Sequence, residues 1–298
     1  MLESGESWGP TIWLETSEVD QGSEQARLAI DNGATQLLVV GGDGTLRSVF
    51  EGSIDQFTPN GSPITLGLVP AGTGNILARN LNLPLLNLQN LVRRGILGET
   101  TALDGARAIL TYPKGETSQH VFTMMAGVGL DASIVENADP KLKSRIGWLA
   151  YFDAGIKALP LKYELLEIRV DDKPVIHKRV LTLLVGNVGL LPMKMAVMPA
   201  AKLDDGLLDV AAIAPRRFWH WAHLWSRITF ESWILGSSST GRWLLENTKD
   251  IKTLENLSGR VIDISVERPV QVQIDGDSFG QVTHMRFEVL EKKLHLRF

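Results

Sequence analysis

Cysteine is absent from the 298 residues, which excludes disulfides, thiolate metal ligands and cysteine nucleophiles. A large excess of one charge is also missing, since 30 basic and 34 acidic side chains give a net charge of −4. This balance argues against a nucleic-acid-binding protein that works mainly by neutralising phosphates.

Targeting and membrane-spanning segments are not visible either. The opening residues, MLESGESWGP, are polar and acidic, whereas a signal peptide needs a basic and then an apolar stretch. The most apolar region, residues 180–201, is interrupted by Asn187, Pro192 and Lys194. It therefore predicts strands and a loop of a folded core, not a membrane span. We expect a soluble cytoplasmic protein.

The first hundred residues alternate short apolar runs with helical segments. QLLVV predicts a buried strand followed by the helix TLRSVFEGSI, and ITLGLVP predicts a strand followed by the helix GNILARNL. Further helices are predicted at SEQARLAIDNG, closed by Gly33, and at LQNLVRRGILG, with Gly98 as its C-cap. Short buried strands between helices are typical of a parallel sheet covered on both faces. The sequence predicts a three-layer α/β nucleotide-binding domain over residues 1–104.

The usual first strand and first phosphate loop of such a domain are missing. TIWLE is a strand candidate, but nothing precedes it that could pair with it through a crossover. We interpret the sequence as N-terminally truncated relative to this kind of domain.

Residues 105–298 change to mostly strand-like patterns. Two helical stretches, SRIGWLAYFDAGIKAL and RRFWHWAHLWSRITFESWIL, interrupt them. This pattern predicts a second domain, a mainly antiparallel β-sandwich, and we consider a return of its last strand to the first domain. The predicted strands are HVFTMMAGVG, KYELLEIRV, KRVLTLLVGNVG, LLDVAAI, RVIDISV, VQVQID and MRFEVL.

Two glycine-rich loops each follow a predicted strand and precede a predicted helix. Neither standard phosphate motif fits the first loop: Thr45 is followed by Leu46 where a Walker loop would have ended in Lys-Ser/Thr, and Arg47 stands at the last glycine position of the dinucleotide fingerprint. At the carboxyl ends of parallel strands, backbone N–H groups and helix ends bind phosphate; two ordinary tight turns are the alternative. The predicted phosphate-binding residues are Gly41, Gly42, Gly44, Thr45, Gly72, Thr73, Gly74 and Asn75.

These loops carry a resemblance that continues along the chain. GGDGTL with PAGTGN resembles the catalytic domain of the diacylglycerol kinase family, bacterial lipid kinases related to sphingosine and ceramide kinases. TALDGARA, the stretch from AGVGLDAS to DAGIKAL, MPAAKLDDGLLDV and VQIDGDSFG resemble further family segments, in order, over residues 16–298. The GGDGT loop alone is less specific because NAD kinases share it.

The resemblance implies roles for several aspartates. A water-bridged aspartate–Mg²⁺ network would be carried by Asp104, which ends a predicted strand, with Asp43 nearby. Asp275 is the candidate base for the lipid hydroxyl, and Asp277 stands where the family has glutamate. The alternative for Asp275 is an ordinary Asp-Gly hairpin turn.

The turn AKLDDGLLD has the composition of a cation-binding loop. The resemblance implies a structural Mg²⁺ held by the Asp205 carboxylate and by the backbone carbonyls of Lys202 and Leu207. A charged turn without metal is the alternative.

One predicted helix suits contact with a membrane. Its apolar stripe is typical of core packing, but Trp219 and Trp233 lie off that stripe beside arginines, as in interfacial helices that touch anionic lipid. The stripe consists of Phe218, Trp221, Trp225, Ile228 and Leu235, and the arginines are Arg216, Arg217 and Arg227. Acyl chains could be held by a methionine-lined slot, with ordinary core as the alternative: Met124, Met125, Met193, Met195 and Met198.

The resulting hypothesis is an ATP- and Mg²⁺-dependent lipid kinase that phosphorylates a diacylglycerol-like hydroxyl to give phosphatidic acid. Its expected partners are a lipid substrate and, transiently, a membrane surface, without nucleic acid. The sequence leaves the oligomeric state open, a homodimer included. The alternatives are a NAD kinase-like enzyme and a non-catalytic lipid- or nucleotide-binding homologue, the latter because of the missing first loop.

Overall fold

The computed structural model describes residues 11–17, 19–129, 163–191, 195–213 and 257–298. The chain divides into two compact units, Met1–Leu103 with Lys292–Phe298 (unit 1) and Asp104–Glu291 (unit 2). The helices are α1 (Ser23–Asp31), α2 (Asp43–Ser53), α3 (Ile76–Asn80) and α4 (Leu88–Leu97). The strands are β1 (Gln36–Gly41), β2 (Thr65–Pro70), β3 (Thr100–Thr111), β4 (Thr117–Phe122), β5 (Met125–Val128), β6 (Glu164–Val170), β7 (Ile176–Val180), β8 (Thr182–Gly186), β9 (Leu190–Leu191), β10 (Met195–Ala196), β11 (Leu208–Ile213), β12 (Leu257–Gly259), β13 (Val261–Ile274) and β14 (Asp277–Arg297).

Unit 1 is built on a parallel sheet, as the alternating pattern predicts. β1 pairs in parallel with β2 from Gln36 opposite Thr65 to Gly41 opposite Pro70. The end of β14 adds a further parallel strand beside β2, with Leu296 opposite Leu66. All the helices predicted in this region are present, and helix α1 ends as predicted, with Gly33 at a positive φ of 89°. Glycine adopts this conformation without the steric cost that a side chain would add.

The prediction that QLLVV is a buried strand is only partly right. Val39 is buried, but Leu38 and Val40 keep 37% and 42% of their surface exposed. Among the described residues β1 pairs only with β2, so it forms an edge of the sheet. The candidate strand TIWLE is not a strand, because residues 11–17 have no regular secondary structure.

Arg297 anchors the last strand to unit 1. Its Nη1 donates to the Gln36 side-chain oxygen and to the Ile96 carbonyl, each at 3.0 Å, and its Nε donates to the Thr100 hydroxyl at 3.0 Å. These bonds tie β14 to β1 and to the end of α4.

Unit 2 is antiparallel throughout its described strand pairs. β13 is its longest shared strand: it pairs with β14 on one side and with β5 and β6 on the other. β6 lies along its first half and β5 along its second half, so the sheet divides there. The strands enclose one apolar core, with Phe122, Ile168 and Phe287 among its fully buried members.

Several strand boundaries differ from the prediction. RVIDISV and VQVQID are one strand, β13, with a register shift between Ser265 and Val270. Pro269 falls at this irregularity, where the missing N–H does not break a regular ladder. Conversely, HVFTMMAGVG is two strands, β4 and β5, separated at Thr123 and Met124.

Some predicted elements fall outside the described residues. These are the helical stretches SRIGWLAYFDAGIKAL and RRFWHWAHLWSRITFESWIL, and with them the membrane-contact hypothesis, as well as Met193 and the side chain of Met195. Met124, Met125 and Met198 are buried. No helix in the described part of the chain is long and apolar enough to cross a membrane.

Candidate functional site

The first glycine loop leads directly from strand β1 into helix α2. Gly41 ends the strand, Gly42 is the N-cap in an extended conformation, and the helix begins at Asp43. As a glycine, the N-cap residue Gly42 makes no side-chain capping hydrogen bond to the first turn of α2. The N–H groups of an eleven-residue helix therefore present a positive end that an anion could use.

The second glycine loop lies directly against the first. The Ala71 N–H donates to the Gly41 carbonyl at 2.8 Å, and a Cβ on Gly72 would lie 2.5 Å from the Gly42 Cα. Only hydrogen fits at Gly72, because real side chains do not come that close to another backbone. The two predicted loops thus form one continuous backbone surface.

Asn75 fixes the shape of the second loop. It is buried and adopts a left-handed conformation with φ 46°. Its side-chain oxygen accepts from the Gly72 N–H at 3.0 Å, and its amide nitrogen donates to the Gly72 carbonyl at 2.7 Å. Asparagine suits this position because it tolerates left-handed backbone and offers both a donor and an acceptor.

Asp43 links the two loops. Its carboxylate accepts hydrogen bonds from the Ile76 N–H at 2.9 Å and the Leu77 N–H at 3.3 Å, at the start of α3. Burial raises the pKa of this carboxyl, while these N–H groups and the charge of Arg79 oppose the rise. Asp43 therefore has a structural role that the sequence did not reveal, which is to hold the start of α3. The Ile76 and Leu77 N–H groups are bonded to its carboxylate and so are not available to a phosphate.

The two threonines of the loops differ in setting. The Thr45 side chain packs on Gly41, where a Cβ would lie 2.7 Å from the Thr45 hydroxyl oxygen. Thr73 is exposed. The structure thus brings Thr45 into the first turn of α2, next to the uncapped helix end.

In unit 2, Asp104 lies inside β3, not at the end of a strand as predicted. It is fully buried. Its carboxylate accepts from the Gly206 N–H at 2.6 Å, and its own N–H donates to the Leu203 carbonyl at 2.7 Å. Asp104 therefore holds the turn that contains Asp205, and its water-bridged link to Mg²⁺ stays a prediction.

The turn with the predicted structural metal ligands is strongly acidic. Asp205 is exposed, and its carboxylate accepts from the Leu207 N–H at 3.2 Å. Burial and the nearby Asp205 raise the pKa of Asp209 to about 6. Excess negative charge beside backbone carbonyls such as that of Lys202 suits a hard cation. The described residues contain no group of three or more His, Cys, Asp or Glu side chains arranged to hold a metal ion.

Asp275 and Gly276 form the tip of the β13–β14 hairpin, with positive φ values of 47° and 94°. This is the type I′ geometry that Asp-Gly favours. The Asp275 carboxylate also accepts four hydrogen bonds of 2.9–3.2 Å from Thr123, Met124 and Met125, one of them from the Thr123 hydroxyl. These bonds hold the chain at the break between β4 and β5.

Asn187 connects these two parts of unit 2. Its backbone N–H donates to the Met124 carbonyl at 2.9 Å, and its side chain donates to the Asp104 carbonyl at 3.1 Å. In the sequence, Asn187 stood out only as an interruption of an apolar run. Arg79 and Asp209 did not stand out either, although Asp209, in β11, follows Asp205 by only four residues.

Comparison with known proteins places the chain in a family. Residues 9–108 match the diacylglycerol kinase catalytic domain, and residues 124–297 match the YegS C-terminal NAD kinase beta sandwich-like domain. The second match alone spans more than half of the chain, so the protein belongs to this diacylglycerol kinase-like family. The family is one of kinases, which are phosphotransferases.

Individual relatives agree with this assignment. A diacylglycerol kinase of Staphylococcus epidermidis is 26% identical over 268 residues, covering 90% of this chain and 75% of the relative. One from Staphylococcus aureus is 25% identical over 270 residues, covering 90% and 76%. The crystal structure of a diacylglycerol kinase from Bacillus anthracis matches with a TM-score of 0.65 at 20% identity, covering 95% of this chain and 84% of that one. The predicted fold class, an α/β domain with a β-sandwich domain, is confirmed.

Proposed function

We propose that this protein is an ATP- and Mg²⁺-dependent lipid kinase that transfers the γ-phosphate to the hydroxyl of a diacylglycerol-like lipid, giving phosphatidic acid. The observation that carries the proposal is the joined pair of glycine loops beside the uncapped end of α2. Similarity to diacylglycerol kinases along the whole order of motifs supports the lipid as acceptor.

The glycine loops would position the phosphates of the nucleotide. Phosphoryl transfer depends mainly on positioning and on electrostatic stabilisation of the transferred group. The first-turn N–H groups of α2 and the Thr45 hydroxyl would donate to phosphate oxygens. Asp43 would act indirectly, by holding α3 so that the second loop keeps its shape against the first.

Mg²⁺, bound together with the nucleotide, would supply positive charge against the phosphates. Asp104 is proposed to contribute to its binding through water. The separate turn at Lys202, Asp205 and Leu207 is proposed as a structural cation site, where the charge of Asp209 adds to that of Asp205.

The proton of the lipid hydroxyl needs a carboxylate as its acceptor. Asp275 accepts four hydrogen bonds from residues 123–125, so we assign it the role of a brace for that stretch. Asp277, half-buried at the start of β14, is the proposed base because it stands where the family has glutamate. A hairpin tip that is held rigidly by Asp275 would keep Asp277 in place.

Incubation of the full-length protein with γ-labelled ATP, Mg²⁺ and diacylglycerol in mixed micelles tests the proposal. Labelled phosphatidic acid is the expected product. Asp277→Asn should lower kcat by about a hundredfold or more, because proton acceptance is lost, and this effect should far exceed any change in the melting temperature or in ATP binding. Asp172→Asn, an exposed change on the turn after β6, is the matched control.

Two results would contradict the proposal. Phosphorylation of NAD in place of any lipid would assign the protein to a different reaction. ATP binding without phosphorylation of any member of a lipid panel would make it a binding protein.

A further inference from the structure

Arg79 is an exposed arginine fastened to the second glycine loop. It lies near the end of α3 and reaches back along the chain, so that its Nε donates to the Gly74 carbonyl at 2.8 Å. Within the described residues, the Arg79 side chain makes this one hydrogen bond, and only its Nε takes part in it. Both terminal amino groups of the guanidinium therefore keep their donors for a ligand.

The charge of Arg79 acts on the centre where the two loops meet. It opposes the burial that raises the pKa of Asp43. Asp43 in turn lies at the start of α2 and close to Gly74, since a Cβ on Gly74 would be 3.2 Å from its carboxylate oxygen. The guanidinium is thus near the α2 helix end, and one of its nitrogens is pinned to the loop itself.

The second loop has few backbone donors to offer an anion. The N–H groups of Ile76 and Leu77 are bonded to the Asp43 carboxylate, and the Gly72 N–H is bonded to Asn75. The half-buried Asp43 carboxylate at the meeting point also repels phosphate. A positive side chain is then needed on this side of the site to offset the carboxylate and to complete the donors.

We infer that Arg79 is a nucleotide-phosphate-binding residue, whose terminal amino groups bind phosphate oxygens while Nε holds Gly74. This inference rests on the proposed function, because it takes the ligand of the loops to be a nucleoside di- or triphosphate. Arg79 thereby adds a positively charged side chain to the predicted site, for which the sequence had indicated only backbone N–H groups, hydroxyls and carboxylates. Guanidinium suits the task because its planar donors match phosphate oxygens in pairs.

The competing explanation is that Arg79 only braces the loop through Gly74. A brace would act through the shape of the loop, so its loss would weaken ATP and ADP to the same extent at low and high salt. A contact between the guanidinium charge and phosphate would be screened by salt, so its loss would weaken ATP less at high salt than at low salt. Repeating the ATP titration at low and high ionic strength therefore separates the two roles.

Isothermal titration of the full-length protein with ATP, ADP and adenosine, each with Mg²⁺, tests the inference. Arg79→Gln should weaken ATP and ADP about ten- to a hundredfold, the effect of losing a charge-assisted hydrogen bond, and change adenosine binding by less than about twofold. Arg79→Lys keeps the positive charge, so its affinity for ATP and ADP should lie between those of the unchanged protein and Arg79→Gln. Arg27→Gln, an exposed arginine on α1, is the control and should bind all three ligands as the unchanged protein does.

Each other result overturns the inference in an identifiable way. If Arg79→Gln binds ATP with unchanged affinity, Arg79 does not bind phosphate, and lipid phosphorylation by the unchanged protein would leave the proposed function standing. If the loss of ATP affinity in Arg79→Gln is the same at low and high salt, Arg79 is a brace. If the unchanged protein binds no nucleotide, the proposed function and the inference fail together. A melting temperature for each variant identifies any that fail to fold.

Discussion

Asp43 and Asp275 are both loop aspartates, and each carboxylate accepts hydrogen bonds from backbone far along the chain. Asp43, in unit 1, accepts from the first N–H groups of α3. Asp275, in unit 2, accepts from three consecutive N–H groups and a hydroxyl at the break between β4 and β5. An ionised carboxylate has about four acceptor positions, so the fold uses the capacity of Asp275 far more fully.

This difference changes how the two motifs should be interpreted. In the glycine loops, the N-cap residue Gly42 makes no side-chain cap at the start of α2, and the Asp43 carboxylate shapes the loops around this helix end. In unit 2, the carboxylates of Asp104 and Asp275 accept hydrogen bonds from backbone N–H groups and so hold neighbouring chain segments in place. Loss of activity in an aspartate variant is therefore not evidence of catalysis unless stability is measured beside it.

The largest expected effect comes from breaking the Asp275 brace. Asp275→Asn replaces a carboxylate oxygen by an amide N–H₂ that faces other donors, and it removes the negative charge that strengthens these hydrogen bonds. It should therefore lower the free energy of unfolding by about 2–4 kcal/mol. Asp43→Asn should cost about 1 kcal/mol, because asparagine still accepts at a helix start. Urea denaturation measures both, with Asp172→Asn as the exposed control. Equal losses for the two aspartates would remove the distinction between them.

A smaller effect tests the contact between the glycine loops. A Cβ on Gly72 would lie 2.5 Å from the Gly42 Cα, whereas a Cβ on Gly42 would lie 3.4 Å from the Gly72 Cα. Gly72→Ala should therefore cost about 1–3 kcal/mol of stability through overpacking, and it should weaken ATP binding because the loops separate. Gly42→Ala is the matched control and should cost less than about 0.5 kcal/mol. If Gly42→Ala proves the more damaging change in thermal melts, the loops do not meet as described.

The outline of both units could be predicted from the sequence because its signals are local. Strand–glycine–helix order predicted two loops on neighbouring parallel strands, and Asp275-Gly276 predicted a hairpin turn. The partners of the carboxylates could not be predicted, since Ile76 lies 33 residues from Asp43 and Thr123 lies 152 residues from Asp275. Such pairs depend on how distant strands come together, which periodicity does not encode.

The same limit explains the other differences. RVIDISV and VQVQID were predicted as two strands, but the structure joins them in β13 across an irregularity at which Pro269 falls. Leu38 and Val40 are exposed because β1 lies at an edge of the described sheet. The sequence could not predict this, since a short apolar run is typical of both edge and central strands. Asp209 was read as part of strand LLDVAAI, and its altered titration follows from burial next to Asp205.

Asp209 gives the smallest expected effect and a test of the acidic turn. An aspartate in the unfolded chain titrates near 3.8, and in the folded protein this one titrates at about 6. Between these values the folded state holds a proton that the unfolded state has lost, so the contribution of Asp209 to stability falls as the pH rises through that interval. Thermal melts across it should show the decline, and Asp205→Asn should weaken it because one of the two causes of the raised pKa is removed.

A cation in this turn would reverse the decline, because it favours the ionised carboxylates. Mg²⁺ should therefore raise the melting temperature more at about pH 7.5 than at about pH 5, where protonated Asp209 offers less charge. Asp205→Asn should abolish most of that Mg²⁺ effect, while Asp172→Asn should retain it. Equal Mg²⁺ stabilisation in all three proteins would show that the ion acts elsewhere, and it would leave the acidic turn of unit 2 as a charged turn without a bound cation.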